Sequence, residues 1–286
     1  MAKKIRVGAR SSKLSIVQTE KVIKILKEKG FDTEFVPIKT KGDIDKRTPI
    51  YKIKEKGVFV KALEEALLKK EIDIAVHSAK DVPTEIPQEF IIAAYIEREE
   101  VNDVLICNYD SIEKLPENAK IGTGSKRREF FLKIIRPDLL FLPLRGNIET
   151  RIKKWENGEF DAILMAKCAI KRLNLNLPYI ELNIDDFPPP PGQGAICVET
   201  LKNSEFYEIL REINDEKVEI EVSIEREILK RIGSGCLVPF GCYAEKNEEE
   251  IILRFMYIKD NEVRKGLLRD KDKERLIERV YEILKG

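Results

Sequence analysis

Short apolar runs alternate with amphipathic stretches over the first 80 residues of the chain. The runs KIRVGA (4–9), FDTEFVPIK (31–39) and IDIAVHS (72–78) are typical of buried strands. Apolar residues three and four positions apart predict helices over 11–30 and 58–70. This alternation predicts α/β layers with largely parallel sheets.

The same order of elements returns after residue 118, with two short echoes of the first part. VGARSSK (7–13) resembles IGTGSKR (121–127), and KKEIDIAVHSAK (69–80) resembles NGEFDAILMAKC (157–168). Because the echoes occur in the same order, they predict two similarly folded lobes facing a cleft.

The last third of the chain has a different pattern. FPPPPGQGA (187–195) is a proline-rich breaker and a plausible crossing between lobes. From about residue 217 the pattern predicts a helix, two strands and a closing helix. We therefore expect a third, small α+β domain over 217–286.

Composition narrows the class of protein. The 286 residues carry 52 basic and 51 acidic side chains, which disfavours wholesale nucleic-acid binding. We expect no signal peptide and no membrane-spanning helix, because no apolar run is long enough for either. Five cysteines, an odd number, favour reduced thiols in the cytoplasm, and one histidine argues against a zinc site.

Arginines at the ends of predicted strands are the first candidates for binding residues. The glycine turn in GTGSKRREF feeds a helix, whose free N–H groups attract anions. Guanidinium groups grip carboxylates and phosphates in a bidentate manner, so the set predicts a ligand with several acidic groups. Ordinary surface charge is the alternative. The candidate binding residues at these strand ends, in the glycine turn and in the helices that follow are Arg10, Thr123, Ser125, Arg127, Arg128, Arg145 and Arg151.

The segment HSAKDVPTEIP follows a predicted strand and holds His77, Ser78, Lys80 and Asp81. A carboxylate beside a lysine can donate and accept protons or stabilise a transient cation. The alternatives are that Asp81 forms a turn and that His77 is a hydrogen-bonded, half-buried histidine.

Two further segments combine charge or thiol chemistry with irregular sequence. Residues 39–57 are charged and aperiodic, which fits a surface loop or a lid whose Lys52 and Lys56 close over an anion. Cys236 stands in a glycine-rich bend, GSGCLV, where packing does not require a thiol. The other cysteines lie in or beside apolar runs and are expected in the core: Cys107, Cys168, Cys197 and Cys242.

Read together, nine ordered motifs resemble the porphobilinogen deaminase, or hydroxymethylbilane synthase, family nearly end to end. They are GARSSKLS, TKGD, KGVFVKALEEALL, DIAVHSAKDVP, GTGSKRR, LRGNIETR, GEFDAILMA, PGQGA and GSGCLVPFGCYA. The resemblance implies two lobes like a type 2 periplasmic binding protein and a third, cofactor-bearing domain. It also implies that residues 195–213 return to the first lobe. The expected domains are then 1–98 with 195–213, 99–194, and 217–286.

The resemblance also implies a chemistry. In such enzymes the cysteine that matches Cys236 carries a dipyrromethane cofactor through a thioether bond. Four porphobilinogen molecules are joined head to tail onto it, ammonia is released at each step, and hydrolysis frees hydroxymethylbilane. Asp81 matches the family's catalytic aspartate, whose carboxylate suits the proton transfers and the developing cation. The resemblance further suggests a monomer.

Other family roles transfer by position. The expected catalytic group is Asp81, Lys80, Lys56 and Phe59. Cofactor contacts are expected from Cys236, Asp81, Lys80, Ser78, Thr123, Ser125, Arg127, Arg128, Arg145 and Gly146. Substrate contacts are expected from Arg10, Ser12, Lys52, Lys56, Arg145, Arg151, Arg172 and Gln193. Asn102, where some relatives have arginine, and Lys126, in place of an apolar residue, depart from the pattern.

A different class of function fits the same fold. A non-catalytic cytoplasmic protein that binds an anionic ligand needs neither Cys236 nor Asp81, so these two positions discriminate between the alternatives. A redox or metal protein using Cys236 and Cys242 has no support from spacing or from nearby histidines.

Overall fold

The computed structural model describes residues 4–40, 60–233, 239–260 and 262–286. Lys52, Lys56, Phe59 and Cys236 therefore lie outside the described residues. Contacts divide the described chain into two compact units. The first holds residues 4–40, 60–99 and 192–222, and the second holds the remainder.

Strands and helices alternate as the sequence predicts. The strands are β1 Ile5–Arg10, β2 Thr33–Ile38, β3 Ile74–Ser78, β4 Phe90–Arg98, β5 Asp103–Ile106, β6 Lys120–Thr123, β7 Leu140–Pro143, β8 Ala162–Ala166, β9 Tyr179–Glu181, β10 Ala195–Leu201, β11 Phe240–Lys246, β12 Ile251–Lys259 and β13 Glu262–Asp270. The helices are α1 Lys13–Glu28, α2 Lys61–Leu68, α3 Lys126–Ile135, α4 Ile148–Glu156, α5 Lys167–Arg172, α6 Tyr207–Arg211, α7 Glu216–Arg231 and α8 Lys273–Lys285.

The first unit is built on a five-stranded sheet in the order β2-β1-β3-β10-β4. β1 runs parallel to β2 and β3, and β10 runs antiparallel to β3 and β4. Ile74 and Val76 of β3 share a core with α1, whereas Ala75 packs with Leu63 and Leu67 of α2. Because successive strand residues face opposite sides, α1 and α2 cover opposite faces of the sheet.

The second unit contains a sheet with the same topology, β7-β6-β8-β5-β9. Its first three strands are parallel, and β5 is antiparallel to both β8 and β9. The echoed sequences occupy matching places, since β1 and β6 are each the second strand of their sheet and lead into a helix, and β3 and β8 lie beside them at the centre. The prediction of two similar α/β lobes is confirmed.

A three-stranded antiparallel sheet, β11-β12-β13, forms the C-terminal part of the second unit together with α8. Met256 and Ile258 of β12 join the same core as Phe131 of α3. The expected small C-terminal α+β element is confirmed, but the prediction of two strands is wrong, because β13 adds a third strand to the sheet. The residue boundaries of three separate domains stay a prediction.

The proline segment 187–191 packs closely against β11. The amide of Cys242 donates to the carbonyl of Pro189 at 2.7 Å. A Cβ atom at Gly241 would lie 2.2 Å from the carbonyl oxygen of Pro188, so only glycine fits there.

Two further expectations from the sequence concern the cysteines and the helices. Cys107, Cys168, Cys197 and Cys242 are free and buried, as expected for small apolar side chains. Within the described segments, every helix is too short or too polar to cross a bilayer.

Candidate functional site

The first group of expected site residues meets at one edge of the first sheet. β1 ends at Arg10 and the parallel β3 ends at Ser78, so both strands deliver their last residues to the same edge. Ser12 then caps α1, its Oγ accepting from the amide of Ser15 at 3.3 Å. A 3₁₀ turn, Ala79–Asp81, follows β3.

A pocket of about 50 Å³ lies at this edge. We call it the first-edge pocket. Four expected site residues border it, and two other polar side chains, Ser15 and His77, do so as well. The expected four are Arg10, Ser12, Ser78 and Asp81.

Gln18 fixes the position of Ser78. Its side chain is buried on α1, in line with Val22 and Leu26, and its Nε2 donates to Ser78 Oγ at 2.9 Å. Sequence analysis missed this residue, although an amide in an apolar helical stripe is a detectable signal, because buried polar groups need partners.

Lys80 is held by the PGQG segment. Its Nζ donates to Oε1 of the fully buried Gln193 at 3.1 Å. Gly192 has φ +76°, and a Cβ there would lie 3.0 Å from the amide nitrogen of Lys80. Gly194 has φ +86°, and its Cβ would lie 2.4 Å from the carbonyl oxygen of Glu99. Two glycines therefore allow the segment to lie directly on neighbouring backbone.

A buried ion pair supports that segment from behind. Arg98 Nε donates to the carbonyl of Gln193 at 3.2 Å, and its Nη1 lies 3.4 Å from Oε2 of Glu221. Both charged side chains are nearly inaccessible. Neither residue was expected at the site, because no strand was predicted over 90–98 and a glutamate on an amphipathic helix is a common surface feature.

His77 has a buried carboxylate partner. Its Nε2 lies 3.0 Å from Oε2 of Glu199, and both side chains are buried, that of His77 being 4% exposed. One interpretation of the sequence is that His77 is a hydrogen-bonded, half-buried histidine, and this contact fits it. The partner, Glu199 on β10, could not be found from the sequence. Glu64 of α2 lies near the pair, and burial first, then the charge of Glu199, raises the pKa of Glu64 above its ordinary value.

The second group of expected residues lies at the matching edge of the second sheet. β6 ends at Thr123, and Ser125 caps α3 by accepting from the amide of Arg128 at 3.4 Å. Arg145 and Gly146 follow β7, and Arg172 ends the helix that follows β8. Parallel strands bring these termini to one edge.

Gly146 shapes the turn between β7 and α4. Its φ is +109°, and its carbonyl accepts from Nε of Arg151 at 2.8 Å. A Cβ at this position would lie 2.8 Å from Cγ2 of Thr150. The glycine therefore lets the backbone bend tightly enough for Arg151 to fold back onto it.

Arg127 and Arg128 are buried, and both bind Asp103 of β5. Arg127 also donates to the carbonyl of Pro188 at 2.7 Å and lies against the rings of Phe131 and Phe187. Burial alone opposes ionisation of Asp103, yet the two guanidinium charges hold its pKa well below the ordinary value. This triad braces the second unit, and contact of either arginine with a ligand stays a prediction.

The two departures from the family pattern have structural partners in the second unit. Asn102 Nδ2 donates to the carbonyl of Leu182 at 3.1 Å. Lys126 pairs with Glu129 at 2.9 Å on the surface of α3. Both residues thus hold local structure at the positions where the family pattern differs.

Sequence models of one family cover almost the whole chain. The description "porphobilinogen deaminase, dipyromethane cofactor binding domain" matches residues 5–208, and "porphobilinogen deaminase, C-terminal domain" matches residues 219–282. The chain belongs to the porphobilinogen deaminase family. It is a transferase of tetrapyrrole biosynthesis that polymerises four porphobilinogen molecules on a dipyrromethane primer and releases ammonia and hydroxymethylbilane.

Curated relatives agree with this family. The chain is 47% identical to porphobilinogen deaminase of Caldicellulosiruptor saccharolyticus over 87% of each chain. It is 44% identical to a probable porphobilinogen deaminase of Thermoplasma volcanium, over 91% of this chain and 88% of the relative. Porphobilinogen deaminase of Campylobacter jejuni subsp. doylei is 44% identical over 88% and 83% of the two chains. The transferase is supported over a non-catalytic binding protein.

Solved structures with a similar fold are distant in sequence. The periplasmic aliphatic sulphonate binding protein SsuA from Escherichia coli is 13% identical, with a TM-score of 0.44, over 82% of this chain and 71% of that one. An arginine transport system periplasmic binding protein from Legionella pneumophila is 16% identical, with a TM-score of 0.40, over 74% and 91% of the two chains.

Proposed function

We propose that Cys236 carries the dipyrromethane primer through a thioether bond. The position lies between α7 and β11 in the sequence, within the family motif GSGCLVPFGCYA. Each of the four described cysteines is buried in a core, where a thiol is inert. The burial of the other four cysteines and the family motif therefore both support Cys236.

The donor set at the second sheet edge suits this primer. Each pyrrole ring of a dipyrromethane bears an acetate and a propionate side chain. Hydroxyl and guanidinium groups are the natural partners of such carboxylates. We propose primer contacts from Ser78, Lys80, Asp81, Thr123, Ser125, Arg127, Arg128, Arg145 and Gly146. When bound, the primer supplies the ring to which the first porphobilinogen is joined.

Substrate binding follows from the same chemistry. Porphobilinogen also bears an acetate and a propionate, so we propose that cationic and hydrogen-bonding side chains hold these groups. The proposed contacts are Arg10, Ser12, Lys52, Lys56, Arg145, Arg151, Arg172 and Gln193.

Asp81 is the proposed catalytic carboxylate, assisted by Lys80, Lys56 and Phe59. It is exposed at the first-edge pocket, immediately after a lysine whose ammonium is anchored to Gln193. A carboxylate there stabilises the positive charge that develops as the aminomethyl group leaves as ammonia. The exposed position of Asp81 at this pocket is the observation on which we assign the pocket to the reaction.

The remaining proposals concern the state of the protein. We propose a cytoplasmic monomer that acts on a small molecule without nucleic acid or membrane. The near balance of 52 basic and 51 acidic residues supports the absence of a nucleic-acid partner. Size-exclusion chromatography with light scattering tests the monomer, and a stable dimer contradicts it.

An intact mass spectrum tests the attachment site. We expect the purified protein to exceed its sequence mass by two linked pyrrole units, and the Cys236→Ser variant to show the bare mass. Cys242→Ala, which alters a buried thiol six residues away, should keep the extra mass. If the wild-type protein shows no adduct even after incubation with porphobilinogen, or if Cys236→Ser keeps one, the proposed attachment is wrong.

A further inference from the structure

The chain's one histidine borders the first-edge pocket, beside Asp81. His77 of β3 is the direct cross-strand partner of Cys197 on β10, so Glu199 lies two residues along on the same face. The Nε2 atom of His77 is 3.0 Å from Oε2 of Glu199. A carboxylate in this position orients an imidazole and stabilises its protonated form.

The other ring nitrogen of His77 remains available. Among the residues that the structure describes, Glu199 is the only hydrogen-bond partner of this side chain. The pocket of about 50 Å³ that the residue borders has room for a few water molecules or one substituent of a ligand. His77 therefore borders a space that can hold a proton donor, and Nδ1 is the ring nitrogen that Glu199 leaves unoccupied.

Charged groups surround the ring on several neighbouring elements. Within the described chain, Oε1 of Glu199 is buried and accepts no hydrogen bond. Glu64 of α2 interacts electrostatically with both His77 and Glu199. Glu199 is therefore the carboxylate in direct contact with the ring, and Glu64 lies near both. Other charged groups nearby in the described chain are Arg10 on β1 and Asp81 in the 3₁₀ turn, which border the pocket, and Lys61 and Glu89, which interact with Glu64.

We propose that His77, oriented and charge-compensated by Glu199, accepts a proton in the first-edge pocket during the reaction. This inference rests on the proposed assignment of that pocket to the reaction. Asp81 stabilises a cation only as a carboxylate, so a second proton acceptor leaves it ionised throughout.

The proton comes from ring coupling. When two porphobilinogen-derived rings are joined, the ring carbon that gains the new carbon–carbon bond loses its hydrogen as a proton. The electron pair of the broken C–H bond returns to the ring. Water in the pocket passes the proton to Nδ1 of neutral His77, and the resulting imidazolium gives it to the released ammonia, which departs as ammonium.

The test compares the titration of the imidazole with the pH profile of the enzyme. Because the chain has one histidine, NMR of the tag-free holoenzyme reports its protonation without ambiguity. We expect the acid limb of kcat/KM for porphobilinogen to coincide with the imidazole midpoint. In Glu199→Gln both should move together and by the same amount, since the carboxylate that contacts the ring is gone. Glu28→Gln, on the exposed face of α1, should move neither.

The His77→Gln variant provides the second arm. We expect it to lose that acid limb and about 10²-fold in kcat, with its circular dichroism spectrum retained. An imidazole midpoint that moves in Glu199→Gln while the acid limb stays overturns the inference, as does an unchanged kcat in His77→Gln. If Asp81→Asn keeps full activity, the pocket assignment itself fails, and that result is distinct from either of the others.

Discussion

The two five-stranded sheets share one topology but present different chemistry at matching edges. Among the described residues, the first edge presents hydroxyls, a carboxylate, an imidazole, Arg10 and Lys80. The second presents hydroxyls and several guanidinium groups, two of which are tied to Asp103. Repetition of a fold therefore fixes where residues after the strands meet, and the residue types at those positions decide what each edge can do.

Buried charged side chains also have different arrangements of partners in the two units. In the first, Arg98 pairs with Glu221, which Lys217 also approaches at 3.9 Å, and His77 contacts Glu199. In the second, one carboxylate serves two guanidinium groups. A buried charge without a partner is costly, so each arrangement is vulnerable to loss of a single member.

The largest expected effect is on the chemistry of the first edge. Asp81→Asn removes the carboxylate while keeping the side-chain size, and we expect kcat to fall about 10³-fold with the primer retained, because loss of one group that stabilises the developing charge costs on that order. Steady-state kinetics and an intact mass spectrum measure the two quantities. Asp110→Asn, an exposed surface change in the second unit, is the control.

Arg145→Ala makes the corresponding change at the second edge. Loss of a charged hydrogen bond should raise KM about tenfold or release the primer, with kcat per primed enzyme largely kept. If Asp81→Asn raises KM and Arg145→Ala lowers kcat instead, the division of labour between the edges is wrong.

The next effect is on the stability of the second unit. Asp103→Asn leaves two buried guanidinium charges without their carboxylate, and we expect a loss of about 3–5 kcal/mol in the free energy of unfolding. Urea unfolding measures it. A loss below 1 kcal/mol would mean that water or another group already screens the triad.

The pH dependence of that loss has a definite sign. The pKa of Asp103 in the folded protein lies well below its ordinary value of about 3.9. Its contribution is thus complete above about pH 5 and falls as the pH drops through 4 and below. The stability curves of wild type and Asp103→Asn should therefore converge in acid, whereas a constant gap down to pH 3 contradicts the ionised triad.

Much of this comparison could be predicted from the sequence. Apolar runs of five to seven residues and helices with apolar stripes predict both sheets, and two echoes predict their likeness. Strand-end residues such as Arg10 and Thr123 follow from the rule that parallel strands end together. The roles of Cys236 and Asp81 came from the family motifs, because neither residue stands in a spacing that indicates its chemistry.

The partners of buried polar groups could not be predicted. Glu199 lies 122 positions from His77, and Glu221 lies 123 positions from Arg98. Such pairs depend on strand register and helix placement, which a single sequence does not encode in any local pattern. The burial of Arg127 and Arg128 was missed for the same reason, because a basic run at a helix start is usually solvated.

A smaller effect is expected at the backbone that supports Lys80. Gly194 and Gly30 have nearly equal φ, +86° and +88°, but a Cβ at Gly194 would meet the carbonyl of Glu99, whereas Gly30 has open space. We expect Gly30→Ala to cost about 1 kcal/mol from backbone strain, and Gly194→Ala about 2 kcal/mol more. Chemical unfolding of both variants measures the difference, and equal losses would show that the backbone yields freely at the PGQG segment.

The smallest effect concerns the first residue of the basic run in the second unit. Lys126 lies at the start of α3 as Lys13 does at the start of α1, and its ammonium pairs with Glu129 at the surface. Glu129 keeps a second partner, Lys133, at 3.0 Å, so Lys126→Ala removes little. We expect both Lys126→Ala and Lys13→Ala to change the free energy of unfolding by less than about 0.5 kcal/mol. If Lys126→Ala instead lowered the free energy of unfolding nearly as much as Asp103→Asn, the residues Lys126 to Arg128 would act together as one buried unit. The chemical difference between the two edges would then include Lys126 as well as the two arginines.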